Sequence, residues 1–260
     1  MTVEVERDGP VTTVILDRPE VRNAVDGAHA TALSDAFRAF EADPEARVAV
    51  LWGAGGVFCA GADLKFVAGG GGAAYAEERQ FPDPQGPMGP TRLALAKPVI
   101  AAIAGPAVEG GMELALWCDL RVCEEDAYFG VYCRRWGIPL LDGGTVRLAR
   151  LVGQGRAMEI ILTGRKVAAD EALRIGMCEQ VVESGGARAG AEAMAREIAR
   201  FPQAAVRADR RSVVETYGLP VRDALRQEWS NGVEAIFKEG ASGAARFESG
   251  KGRHGDFARI

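Results

Sequence analysis

Histidine is nearly absent from this chain: His29 and His254 are the only two, and neither lies in an HExxH-like pattern. The five cysteines, Cys59, Cys118, Cys123, Cys133 and Cys178, form no CxxC pair. An odd number at such spacings supports neither a disulfide framework nor a zinc site, so metal catalysis is not expected. Positive charge is short as well. Lys and Arg total 31 against 36 Asp and Glu, a net charge of −5, so the basic face of a nucleic-acid binder is missing. No apolar run reaches the about 18 residues of a membrane span. Met1 to Arg7 alternates charged and apolar residues, unlike a secretory signal. These absences point to a cytoplasmic protein without nucleic-acid or membrane partners.

What is present is apolar mass and glycine. Hydrophobic residues make up 48 %, enough for a sizeable core in 260 residues. Val3 to Glu6 and Val11 to Leu16 flank Asp8-Gly9-Pro10 and read as a β-hairpin. Ala28 to Ala42 carries Leu33, Ala36, Phe37 and Phe40 on one helical face. Strands are expected at Val48–Trp52, Pro98–Ala104, Leu120–Cys123, Phe129–Cys133 and Cys178–Val182. Helices are expected at 113–117, 145–151, 156–162 and 170–175. From Ala187 onward the pattern is almost wholly helical, at about 187–200, 203–216 and 220–239, and Gly240 to Ile260 reads as partly loose. The chain thus divides into an α/β body, residues 1–200, and a helical region, 201–260. No sequence repeat is visible.

Residues 68–90 stand apart. Gly69 to Gly72 is an unbroken glycine run, and Phe81 to Pro87 is too proline-rich for regular structure, with a short helix expected near Ala73 to Arg79. Such a segment is either a surface loop or a wall of a substrate pocket.

Two glycine-bearing turns carry the chemistry. Phe58-Cys59-Ala60-Gly61-Ala62-Asp63-Leu64 follows one apolar run, and Gly105-Pro106-Ala107-Val108-Glu109-Gly110-Gly111-Met112-Glu113 follows another. A strand that turns through glycine into a helix leaves backbone N–H groups without partners. Two such turns side by side can aim two N–H groups at one oxygen, the geometry of an oxyanion hole. Glu113 follows Gly110 by one helical turn, among apolar neighbours, where a carboxylate can reach a group held by the hole.

On these residues the chain resembles the crotonase, or enoyl-CoA hydratase/isomerase, family. Arg18-Pro19-Glu20-Val21-Arg22-Asn23-Ala24 is similar to its RPxxxNA loop and Phe58 to Leu64 to its FxAGADL turn. Gly105 to Asp119, Gly137 to Thr145, Thr163 to Arg165 and Ala172 to Gly176 match further family stretches in family order. The resemblance implies a spiral of ββα turns with a C-terminal α-helical trimerisation region, in trimers or dimers of trimers. It implies an acyl-CoA substrate, an enolate-like intermediate and no cofactor beyond the CoA of the substrate. Carried over position by position, the hole donors are the N–H groups of Ala62 and Gly110. Glu20, Val21, Arg22 and Ala24 would meet the CoA nucleotide. Ala60, Asp63 and Leu64 would flank the pantetheine. Glu113 matches the first catalytic glutamate of the hydratases, with a solvated helix carboxylate as the alternative.

Ungapped counting puts the hydratases' second glutamate at Cys133, a poor replacement for a carboxylate because a thiol is mostly neutral at pH 7. Arg134 and Arg135 would lower its pKa if they pointed inward; otherwise Cys133 is a small wall residue. The place where some relatives carry a working aspartate falls at Leu141, expected to meet substrate, next to Asp142. Asp142 is therefore either a second catalytic carboxylate or the N-cap of the following helix. Glu109 occupies a place usually held by a small residue, and would oppose an oxyanion if it faced inward. His29 reads as structural. Lys251, Arg253 and His254 are either solvated or, with Arg22, near CoA phosphates. Hydration of a 2-enoyl-CoA is the default expectation. The alternatives are isomerisation, decarboxylation or thioester hydrolysis using Asp142, or acyl-CoA binding with little turnover.

Overall fold

The first hairpin pairs β1 (Val3–Asp8) antiparallel with β2 (Val11–Leu16) around Gly9. The computed structural model describes residues 3–80, 82, 83, 85–252 and 254. The expectations that fall on Met1, Thr2, Phe81, Pro84, Arg253 and the tail from Gly255 lie outside the described residues. In chain order there follow α1 (Gly27–Ala42), β3 (Val48–Gly53), α2 (Leu64–Ala68), α3 (Gly71–Glu78), β4 (Val99–Ile103), β5 (Pro106–Val108), α4 (Gly110–Trp117), β6 (Leu120–Glu124) and β7 (Tyr128–Gly130). Then come α5 (Gly144–Val152), α6 (Gln154–Thr163), β8 (Lys166–Ala168), α7 (Ala169–Arg174), β9 (Gln180–Val182), α8 (Ala187–Arg200), α9 (Gln203–Glu215), α10 (Val221–Ala235) and α11 (Ala241–Glu248).

The large sheet has the order β1-β2-β3-β4-β6-β9, parallel from β2 onward. Parallel strands are covered on both faces, so they read as continuous apolar runs. Alternate residues serve the two faces. Val14, Leu51, Ala101 and Ile103 share a core with Leu33 and Phe37 of α1, while Val11, Val48, Val50 and Ile100 pack on α8. The α8 contribution is Ala187, Ala191, Ala195 and Ala199, a stripe of small residues one turn apart that lets the helix lie close to the sheet.

A second sheet, β5-β7-β8, stands at the ends of these strands. It explains how the chain spirals. Each of β4 and β6 ends, the chain bends, and a three-residue strand (β5, β7) enters the small sheet before the next helical turn. At the end of β3 a single bridge, Cys59 to Ala107, makes the same step before α2. The ββα repeat therefore exists in space, although the sequence shows none.

Three expectations change. The strand expected over Phe129–Cys133 ends at Gly130, and Tyr132–Trp136 is a 3-10 turn closed by left-handed Gly137. Helix α4 starts at Gly110 rather than Glu113. The tail from Gly240 is helical through Glu248, because α10 and α11 are joined by a π-helical turn, Ile236–Gly240. No helix among the described residues is long and apolar enough to cross a membrane.

Candidate active site

The two turns are bonded to each other. The Phe58 N–H donates to Ala104 O at 2.7 Å, the Cys59 N–H to Pro106 O at 3.1 Å, and the Val108 N–H to Cys59 O at 3.1 Å. Glycine makes the approach possible. A Cβ on Gly111 would stand 2.1 Å from the Cys59 carbonyl oxygen, and one on Gly61, which has φ +94, would stand 3.0 Å from the Gly110 nitrogen. Gly110 opens α4, so its N–H has no acceptor within the helix. The Ala62 N–H also donates to no group among the described residues, because its neighbours make the pairing: Val25 N–H to Gly61 O at 2.8 Å and Asp63 N–H to Val25 O at 2.8 Å. Ala62 and Gly110 both line one cavity of about 140 Å³.

Glu113, Cys133, Leu141 and Asp142 line the same cavity, with Met88, Ile138 and Leu140 among its apolar walls. Glu113 is only 3 % exposed. Its Oε1 accepts from the Asp142 N–H at 2.9 Å and from the Gly144 N–H at 2.8 Å, at the start of α5. Burial and the Asp142 carboxyl push Glu113 up to about 7, more than these N–H groups pull it down. The solvated-face alternative does not apply.

Asp142 is not an N-cap. The cap residue of α5 is Gly143, and the first N–H of the helix, that of Gly144, goes to Glu113 rather than to Asp142. The Asp142 carboxylate instead accepts from the Met88 N–H at 2.9 Å and from the Thr91 hydroxyl. Arg147, which sequence reasoning missed, donates to Asp142 O at 2.7 Å and Thr91 O at 2.6 Å. The second half of the 68–90 segment is thereby tied to the turn that carries Glu113, and Met88 is buried against Gly110. No sequence signal singled out Met88: it lies between Pro87 and Gly89 with no periodic partner.

Cys133 sits on the 3-10 turn, buried, with its thiol pushed up to about 11 by burial and by the charges of Glu109 and Glu113. Arg134 and Arg135 are exposed and do not reverse this. Cys133 is a neutral wall residue at pH 7. Glu109 faces the cavity, and burial raises its pKa.

Glu20, Val21, Arg22, Ala24, Ala60, Asp63 and Leu64 do not line this cavity. They form a strip leading from it: the Ala60 N–H donates to Arg22 O at 3.0 Å, and Asp63 caps α2 through the Lys65 N–H at 3.0 Å. Asn23 holds this strip with a buried side chain, accepting from the Arg18 N–H at 2.7 Å and donating to Ala54 O and Val57 O at 2.9 and 2.6 Å. His29 pairs with Asp26, the N-cap of α1, in keeping with a structural part. Among the described residues no group of His, Cys, Asp and Glu is arranged to hold a metal ion.

The family model for enoyl-CoA hydratase/isomerase matches residues 6–251. The chain belongs to that family. It is 34 % identical over 249 residues to the enoyl-CoA hydratase EchA19 of Mycobacterium tuberculosis, covering 93 % of this chain and 91 % of that protein. It is 37 % identical over 227 residues to a carnitinyl-CoA dehydratase of Salmonella typhimurium, covering 86 % and 85 %. Among solved structures, an enoyl-CoA hydratase from Mycobacterium tuberculosis superposes with a TM-score of 0.88 at 32 % identity, over 95 % of this chain and 96 % of that one. The enoyl-CoA hydratase EchA1 of Mycobacterium marinum gives 0.87 at 35 % identity, over 95 % and 96 %. The fold is thus the crotonase fold with a C-terminal helical region, in a family of enzymes.

Proposed function

We propose that the protein binds a 2-enoyl-CoA thioester and adds water across its α,β double bond, or removes water in the reverse direction. The thioester oxygen sits between the Ala62 and Gly110 N–H groups. Water's oxygen bonds to C3, Glu113 takes a water proton, and the π pair moves toward the thioester as an enolate. The oxygen that gains charge is the one the two N–H groups hold; each such donor contributes ~10²–10³ in rate in comparable acyl chemistry.

The observation that carries this reading is Glu113. It is a buried carboxyl poised at about 7, in the same small cavity as both unpartnered N–H groups. A carboxyl with that pKa both accepts and returns a proton at neutral pH. The similar proteins named above, a hydratase and a dehydratase, run this reaction class by name. Asp142 fits the isomerase, decarboxylase and hydrolase alternatives less well, since its carboxylate is already engaged by Met88 and Thr91. The CoA nucleotide would follow Glu20 to Ala24, with the pantetheine beside Ala60, Asp63 and Leu64, and the chemistry needs no group beyond that CoA. We further propose that copies of the chain associate through the C-terminal helices, where Leu225 and Trp229 of α10 are exposed.

A panel of 2-enoyl-CoA esters, followed by mass spectrometry and by loss of the enoyl absorbance, tests the reaction. Conversion to the 3-hydroxy product with at least one ester is expected. Tight binding of the panel with no conversion would favour a binding protein instead.

A further inference from the structure

Glu109 is out of place by the ordinary rules of backbone conformation. It has φ +56 and ψ −126, a region that only glycine enters without strain. The neighbouring structure holds it there: its N–H donates to Gly130 O at 2.8 Å, and its Cβ lies where a Cβ on Gly61 would come within 2.7 Å. A glycine would relax this turn, yet the chain places a carboxylic acid.

The side chain is not spent on the surface. Glu109 is 8 % exposed and lines the cavity shared by Ala62, Gly110 and Glu113. Its carboxyl makes no hydrogen bond or ion pair among the described residues. It shares that cavity with the Cys133 thiol. It belongs to the residue before Gly110 and lines the same cavity as the Ala62 and Gly110 turns.

We infer that Glu109 is a catalytic residue, the second proton-transferring carboxyl of the site, standing where the Cys133 side chain supplies none. The inference rests on the enolate reading above and assigns the half of the reaction that reading left without a residue. In hydration, Glu113 takes a proton from water as its oxygen bonds to C3. Glu109, in its protonated form, gives its proton to C2, and the enolate electron pair becomes the new C–H bond. Glu109 is left as a carboxylate and Glu113 as an acid; exchange with solvent returns both to their starting states.

Two variants and two readouts test this. The readouts are exchange of the α-hydrogens of a saturated acyl-CoA in D₂O, which needs no water addition, and hydration of a 2-enoyl-CoA. Glu109→Gln is expected to slow both by ~10²–10⁴. Glu109→Gly is expected to slow both equally while raising Tm by a few degrees, since the turn relaxes. A residue kept for packing alone would give the opposite pattern, a less stable and still active Glu109→Gly. Glu109→Gln exchanging within about threefold of the wild type overturns the inference. A wild type that exchanges but never hydrates overturns the hydratase reading and leaves Glu109 tested by exchange. A wild type that does neither overturns both.

Discussion

Burial and a neighbouring carboxyl oppose the charge on Glu113, while two N–H groups keep a place for it. The folded chain therefore binds this proton more tightly than the unfolded chain does. That contribution to stability is complete below about 4.5 and is lost as the pH rises through about 7; a displacement from 4.5 to about 7 corresponds to ~3 kcal/mol. Glu113→Gln should flatten this dependence. Thermal unfolding at pH 5 and pH 8 is expected to show a larger drop for the wild type than for the variant, and parallel drops would contradict the buried, proton-holding Glu113. The same substitution should cut hydration by ~10²–10⁴, measured as initial rates on the best substrate. Since Glu113 must be ionised to take a proton from water, kcat/KM for hydration should rise through about pH 7. Glu113 was legible in the sequence because a carboxylate among Leu, Ala and Trp is rarely left in water. The state of Cys133 was legible only in part: its thiol is neutral, but the carboxyl that presses on it comes from a different turn.

The proposed hole is an assembly of two strand–turn–helix elements, and it depends on how closely their backbones approach. Gly111 and Gly110 differ in what a side chain would strike. At Gly111 a Cβ meets the Cys59 carbonyl at 2.1 Å, which cannot yield without parting the turns; at Gly110 it meets the end of Met88 at 2.5 Å, which can swing away. Gly111→Ala is therefore expected to destabilise the fold by ~1–3 kcal/mol or more in urea unfolding, and Gly110→Ala by clearly less. A second element-level tie is Asp142. Asp142→Ala leaves the Met88 N–H and Thr91 hydroxyl without their acceptor, at a cost of ~1–3 kcal/mol, and frees the 85–91 segment, seen as faster amide exchange at Met88. The glycine turns announced themselves in the sequence because close approach demands glycine. The segment that walls the cavity did not, since Met88 is placed by bonds to residues remote in the chain.

At the scale of the whole chain, the helix that carries Glu113 is buried, while the C-terminal helices expose large apolar residues. Helix α4 is buried from Gly110 to Leu116, whereas Trp229 is 68 % and Phe237 81 % exposed. Exposed apolar residues of this size on neighbouring helical turns are expected to meet other copies of the chain. Light scattering should give a mass well above 27.6 kDa, and the pair Leu225→Glu and Trp229→Glu, one turn apart on α10, should lower it. A monomeric wild type would contradict the assembly. The alternating and helical patterns of the long elements were readable because periodicity tracks burial. The spiral was not, because strands of three residues such as β5 and β8 carry too little pattern, and its turns share geometry rather than sequence.

In the proposed reaction all of the chemistry passes through the carbonyl oxygen between Ala62 and Gly110, and infrared spectroscopy observes that bond directly. With a saturated acyl-CoA labelled with ¹³C at the thioester carbonyl, the bound ligand should show its C=O stretch at lower frequency than in buffer, as two N–H donors draw electron density to oxygen. A bound thioester whose carbonyl stretch stays at its solution frequency would contradict the oxyanion hole.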